Sequence, residues 1–564
     1  MRKTTCAGLF LLLAAACQSS PDIRSMLEAL PDEHPSQEWH VGPDVYVDDT
    51  GTARFVRPLL EAFDLDRAAK TLGFIDQFYR APGNHGYDAV VDRVVADLEA
   101  AGFGGDDSRL GVQVIETEQD SDAWTPVSAS VTLLADGEEP RVLHGFDSNE
   151  DSDRVMLPTN APSCSVEGQV ALHLDELKKG MILVTDVSAT QVLRRATARG
   201  AAAILSASLP DYNIDQSGQR RHLDAIQFRT LPATITMPVC QISTRSLRAI
   251  EAAVERGAVR KRPVRIRFEA EVLKEKRPLR TIVATIRGAK TPERAVAMVS
   301  HIQEAGANDN ATGVAGMLEG ARSLAKMLEE GALPWPDSTL VFIWGDEFSQ
   351  SQVWLESTDL TPIAGISSDM TGAAKDTGAI ALLERMPDPG ALTTLPPDAH
   401  TPWGAGQVDS ENLNPNGFSI IARCAMVDVG LESGGWPCAD HPWEGGSDHD
   451  VFINRGIPAV LFWHFTDFTY HTSLDRLNYV DITEVRRTTA AILATALAVA
   501  APRPTDLDRY LRSLDMDKSI RIGAAREVED QNLEALWKVW ADGSRNWLRK
   551  LCLGIEEDLP KGNG

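Results

Sequence analysis

Four short segments of this 564-residue chain put a histidine or a carboxylate just after an apolar run. In the first, Ser300-His301-Ile302-Gln303-Glu304-Ala305-Gly306-Ala307-Asn308-Asp309-Asn310, His301 offers an imidazole nitrogen and Asp309 a carboxylate able to bridge two cations. The second, Trp344-Gly345-Asp346-Glu347, sets two carboxylates side by side, which is costly unless a cation or a proton balances them. One of the pair can ligate metal while its neighbour serves as general base. The third ends in Asp369-Met370, and the fourth contains Tyr470-His471-Thr472-Ser473-Leu474-Asp475. Each has a plainer reading when taken alone: Asp309 could cap a helix, and a lone histidine after a strand is more often structural than ligating.

Groups of this kind need rigid elements behind them, and the sequence supplies candidates. Unalternating apolar runs at 281–286, 295–300, 339–344, 363–367, 420–426 and 457–463 predict strands covered on both faces. Between the second and third runs, Val314, Met317, Leu318, Ala321, Leu324 and Met327 recur with helical period over about 310–330. A strand, helix, strand order predicts an α/β layered sheet, and sites in such sheets form outside the carboxyl ends of the strands. Upstream, Leu72, Ile75, Phe78 and Tyr79, then Val90, Val91, Val94, Val95 and Leu98, predict two helices separated by the turn Ala81-Pro82-Gly83-Asn84. The stretch 125–267 changes to short β-rich runs and predicts a separate, smaller domain, while 503–564 reads as a charged helical appendage.

Charge and the first residues bound the setting. With 81 Asp plus Glu against 55 Lys plus Arg and no basic run, a nucleic-acid partner is excluded. Arg2 and Lys3 precede an apolar stretch from Ala7 to Ala16, too short to span a bilayer, so 1–17 is expected to be a secretory signal and 18–57 a tether and lead-in. Leu13-Ala14-Ala15-Ala16-Cys17 resembles a lipoprotein signal, which predicts lipid attachment at Cys17 and an exported, membrane-anchored protein, periplasmic or at the cell surface. In an oxidising compartment Cys424 and Cys438 form the most plausible disulfide, since they bracket a short stretch containing Gly and Pro.

Taken in order, His301, Gly306-Ala307-x-Asp309-Asn310-x-x-Gly313, Asp346-Glu347, Asp369-Met370 and Tyr470-His471-Thr472-x-x-Asp475 resemble the co-catalytic di-zinc aminopeptidases and their glutamate carboxypeptidase relatives. Gly180-Met181-Ile182-Leu183-Val184 with Ala196-Thr197-Ala198-Arg199-Gly200-Ala201 resembles a protease-associated insert domain, and Gly446-Ser447-Asp448-His449-Asp450-x-Phe452 another recurrent family segment. The resemblance implies a three-layer α/β/α sandwich around a mixed, mostly parallel sheet, formed by 58–124 and 268–502 with the insert at 125–267. It implies two zinc ions: Asp309 shared, His301 and Asp369 completing one position, Glu347 and His471 the other. Asp346 is implied as general base and Tyr470 as an oxyanion donor, hydrolysing peptides through a water activated by the ions. Aminopeptidase action is the first expectation. Relatives on the same scaffold include carboxypeptidases, dipeptidases, glutaminyl cyclases and non-catalytic binding proteins. Two departures stand out: Gln303 replaces the usual aspartate two positions after the first histidine, in a loop that is also short, and Asp346 is a methylene shorter than the usual glutamate, with Glu304 a nearby substitute.

Overall fold

The strand Thr291–His301 lies in the middle of the larger sheet. It pairs in parallel with Ser338–Gly345 on one side and Thr361–Ser368 on the other, and the latter pairs in parallel with Ala459–Phe465. The computed structural model describes residues 49–104, 109–148, 151–392, 408, 410 and 413–554. The signal segment, Cys17 and most of the lead-in therefore lie outside the described residues. Around the parallel centre the sheet is mixed: eight strands run in the order Leu110–Thr117, Leu279–Ile286, Ser338–Gly345, Thr291–His301, Thr361–Ser368, Ala459–Phe465, Ile380–Glu384, Cys438–His441.

Both faces of this sheet are covered. Val296 and Met298 pack into one core with the helices Ala311–Glu329, Phe418–Glu432 and Ile482–Ala500, while Ala295, Ala297 and Val299 pack into a second with Trp354 and Phe452. That alternation along one strand is a three-layer α/β/α arrangement, as expected from the near-continuous apolar runs.

A second sheet of seven strands is built from the stretch Ala123 to Glu275. Its first and last long strands pair antiparallel along their whole length, from Ala123 opposite Glu275 to Ala135 opposite Val264, so the chain leaves and re-enters the first sheet side by side. Downstream, the helices Leu507–Glu527 and Gln531–Leu553 bury Tyr510, Leu514, Leu548 and Cys552 against the main core.

Two expectations are corrected. The run 420–426 is no strand but the middle of the helix Phe418–Glu432, buried on nearly every side; an apolar run hidden all round carries no period to separate helix from strand. The Cys424–Cys438 disulfide does not form: both thiols are free, because Cys424 sits midway along that helix with its Sγ on Ser513 Oγ (3.3 Å), while Cys438 opens an edge strand beyond the helix end. Among the described residues no helix is long and apolar enough to cross a membrane.

Candidate metal centre

All the expected metal-ligating side chains arrive from the carboxyl ends of the four central strands. His301 ends one strand, Glu347 lies two residues past another, Asp369 follows a third directly, and His471 sits six residues past the fourth. His301, Asp309, Glu347, Asp369, Tyr470 and His471 line one cavity of about 140 Å³, together with Glu304 and the apolar Met370, Leu461 and Trp463.

Asp309 occupies the centre. Its Oδ1 is 3.6 Å from His301 Nε2 and its Oδ2 is 3.0 Å from His471 Nε2, so its two oxygens face two different imidazoles. His301 Nε2 also lies 3.1 Å from Asp369 Oδ1, and His471 Nε2 lies 2.9 Å from Glu304 Oε2. These contacts give two overlapping ligand groups, His301–Asp309–Asp369 and Glu304–Asp309–His471. The capping alternative for Asp309 falls to its neighbour: Asn310 Oδ1 accepts from Gly313 N–H (3.1 Å) and begins the long helix.

The donor set suits a divalent cation. His301 Nδ1 is 3.1 Å from the Gln303 carbonyl oxygen, a pure acceptor, so Nδ1 carries the proton and Nε2 turns a lone pair or a second proton toward the carboxylates. Burial, and then Glu304, push Asp309 up to about 7; burial also pushes Glu347 well above the carboxylate range. Burial pulls His301 down, but Asp369 and Glu347 outweigh it and hold the ring well above its ordinary value. Buried carboxylates and imidazoles converging on shared points are stabilised by cations placed between them, and oxygen with imidazole nitrogen is a zinc donor set.

Backbone geometry fixes these groups. Asp475 accepts the amides of Asn308 (2.7 Å) and Asp309 (3.0 Å), and a β-carbon at Gly306 would collide with that carboxylate, which explains the glycine in the segment. A β-carbon at Gly313 would strike Asn310 and the Ser368 carbonyl. Ser447 Oγ donates to Asp369 Oδ2 (2.9 Å), while Asp448 accepts from Phe348 N–H, Gln350 Nε2 and Ser351 Oγ and so holds the turn after Glu347. His449 stands outside the cavity, with its Nε2 on Glu384 (2.8 Å).

The second sheet reaches the site through a loop: Phe228 N–H donates to the His471 carbonyl (2.7 Å), and Asn213 Nδ2 to the Phe468 and Tyr470 carbonyls.

Asp346 is not brought to the cavity wall. Its Oδ2 accepts from Ser349 Oγ (2.8 Å) and its carbonyl from Gln350 N–H, just ahead of the helix Ser349–Ser357; burial raises its carboxyl to about 6. Asp475, Ser447 and Asp448 were not assigned to the centre from sequence, and Glu304 was set beside Asp346 only as a substitute general base. Asp475 and the Ser447-Asp448 pair stood in segments already quoted, whereas nothing in the spacing marks Glu304 as a ligand.

A parallel-centred α/β sheet with two histidines and several carboxylates at its carboxyl edge defines a metallohydrolase. The profile of Peptidase family M28 matches residues 281–377 and 427–496, stretches that contain His301, Asp309, Glu347, Asp369 and His471, and the chain is a zinc metallopeptidase. It is 25% identical over 445 residues to the probable lipoprotein aminopeptidase LpqL of Mycobacterium tuberculosis, covering 72% of this chain and 77% of that one. Two solved structures share the fold. The Peptidase M28 precursor from Shewanella amazonensis has TM-score 0.53 at 15% identity, over 80% of this chain and 96% of that one. The zinc aminopeptidase BSAP from Bacillus subtilis has TM-score 0.50 at 14% identity, over 78% and 96%.

Proposed function

We propose that the chain is an exported, two-zinc aminopeptidase that removes residues from peptide N-termini. The observation that carries this is the placement of Asp309, whose two oxygens face His301 and His471 from the centre of one small cavity. His301, Asp309 and Asp369 would hold one ion; Asp309, His471 and a carboxylate from the wall would hold the other. Zinc ions so held would supply Lewis acidity at the scissile carbonyl and a nucleophile at neutral pH.

The chain's own groups do the rest. Of the two further wall carboxylates, Glu304 and Glu347, one completes the second position and the other accepts a proton from the attacking water as the new C–O bond forms. That carboxyl then returns the proton to the nitrogen as the C–N bond breaks, leaving a free amine and a carboxylic acid. Tyr470, on the same wall, donates to the developing oxyanion. Met370, Leu461 and Trp463 receive the terminal side chain. At about 140 Å³ the cavity suits a single terminal residue, well below the roughly 300–1,000 Å³ of drug-sized sites. The inserted β-rich region acts as a protease-associated domain that shapes access through its 212–228 loop, and a lipid on Cys17 tethers the enzyme to a membrane; the name of the mycobacterial relative supports that tether.

The test is mass spectrometry of a mixed peptide pool incubated with the zinc-loaded protein beside Asp309→Asn. Ladders shortened from the N-terminus, absent in the variant, are the expected result. Ladders from the C-terminus, ammonia loss from N-terminal Gln, or an unchanged pool would each refute the aminopeptidase reading.

A further inference from the structure

We propose that Glu304 is the carboxylate that completes the second metal position beside Asp309 and His471, the place that family resemblance gives to Glu347. The inference rests on the two-ion reading above and concerns which wall carboxylate does what.

Glu304 Oε2 lies 2.9 Å and Asp309 Oδ2 3.0 Å from the same His471 nitrogen, and one ligand atom from each of the three residues fits within 4.8 Å of the others. Among the described residues no such group includes Glu347.

The loop that delivers Glu304 is short and held on both sides. Asp309 follows His301 by only eight positions, so the connection is a tight bend rather than an excursion. Glu304 sits at its apex with φ 97°, a conformation that non-glycine residues rarely adopt and that persists only where the surroundings enforce it. The bend is over-determined by buried arginines. Arg80 donates to Glu304 O through its backbone (3.3 Å) and accepts from Glu304 N–H (2.9 Å), while its guanidinium donates to the carbonyls of Ile302 (2.8 Å) and Gly306 (2.6 Å). Arg154 Nη2 donates to the Ala305 carbonyl (3.0 Å). Residues 302, 304, 305 and 306 are thus each held by the backbone, and the Glu304 side chain has one direction left, into the cavity it lines.

Glu347 is held by a different partner, Gln303. Gln303 Oε1 accepts the Glu347 amide (2.8 Å) and Gln303 Nε2 approaches Glu347 Oε2 (3.4 Å). An aspartate at 303 would set a negative charge beside that carboxylate; the amide of glutamine instead accepts from the Glu347 backbone and offers an N–H to its side chain. Gln303 therefore fits a chain in which Glu347 stays on the wall as the proton acceptor and Glu304 ligates. The unusual Gln303 and the short loop become one change rather than two.

The decisive experiment is zinc-edge anomalous diffraction on crystals of the full-length, zinc-loaded protein. A Glu304 oxygen about 2.0–2.2 Å from the ion held by His471 is expected. A Glu347 oxygen in that place, with Glu304 beyond 3 Å, would overturn the inference while leaving the two-ion centre intact; no ion beside His471 would overturn both. In solution, calorimetric zinc titration separates the same outcomes. Glu304→Gln should weaken the second zinc by about a hundredfold or more, since loss of an outer partner alone costs 10–100-fold, while Glu347→Gln leaves both affinities within about threefold. The reverse pattern would overturn the assignment.

Discussion

Asp475 never touches the cavity, yet the position of Asp309 depends on it. Its two oxygens accept the amides of Asn308 at 2.7 Å and Asp309 at 3.0 Å, both in fully buried surroundings. Burial and the nearby Asp467 favour a proton on this carboxyl, and the amide donors oppose one. With an N–H aimed at each oxygen, the ionised form is the one that satisfies the geometry. In Asp475→Asn one oxygen remains to accept one amide, and the new NH2 group confronts the other, leaving a buried donor unpaired. A hydrogen bond to a charged group contributes about 1.5–3 kcal/mol and an unsatisfied buried donor costs about 1–3 kcal/mol, so the loop carrying Asp309 should be loosened by about 2–4 kcal/mol. If half of that appears at the metal position, zinc affinity falls about 5- to 30-fold. Competition against a chromophoric chelator measures the affinity, and urea unfolding of the metal-free protein measures the remainder. Zinc affinity within twofold of wild type, with unfolding free energy changed by less than about 0.5 kcal/mol, would show that Asp475 holds a proton and that the amide merely replaces its hydroxyl, refuting the argument.

Other consequences are open to direct measurement. Arg80→Met strips the donors from the carbonyls of Ile75, Phe78, Ile302 and Gly306 in a fully buried site and should destabilise the fold by about 3–5 kcal/mol in urea unfolding, with zinc affinity falling alongside. Tyr470→Phe should lower kcat by about 10²–10³ with zinc content and thermal stability unchanged; a loss confined to KM would remove Tyr470 from the oxyanion role. Burial pushes Glu484 up, but His464, Trp436 and Arg487 outweigh it and hold the carboxyl at about 2 against an ordinary 4.5. A depressed folded value stabilises above pH 4.5 and is lost as the pH falls toward 2. Glu484→Gln should therefore be less stable than wild type by about 1 kcal/mol at pH 6, after allowance for solvent screening, and indistinguishable near pH 2; a gap that persists in acid would mean that packing, not ionisation, is lost.

The site was legible where each ligand directly follows a strand. Thr291–His301, Ser338–Gly345, Thr361–Ser368 and Ala459–Phe465 are apolar runs that end within a few residues of His301, Glu347, Asp369 and His471, so local pattern and chemistry point to the same edge. What the sequence withheld depends on contacts between distant residues. Arg80 and Ile302 are 222 positions apart and Asp475 and Asn308 are 167 apart, and neither pairing leaves a periodicity or a spacing to read. The same limit bears on two carboxylates. Asp346 reads as a base because it precedes a ligand-like glutamate; in the fold its Oδ2 accepts from Ser349 Oγ and it does not line the cavity. Glu304 read as no more than a substitute for that base because its direction is decided by the φ 97° bend that Arg80 and Arg154 hold in place from elements far away in the chain. Ligand identity in a short loop is thus set less by the loop's own residues than by which of its carbonyls the rest of the protein holds fast.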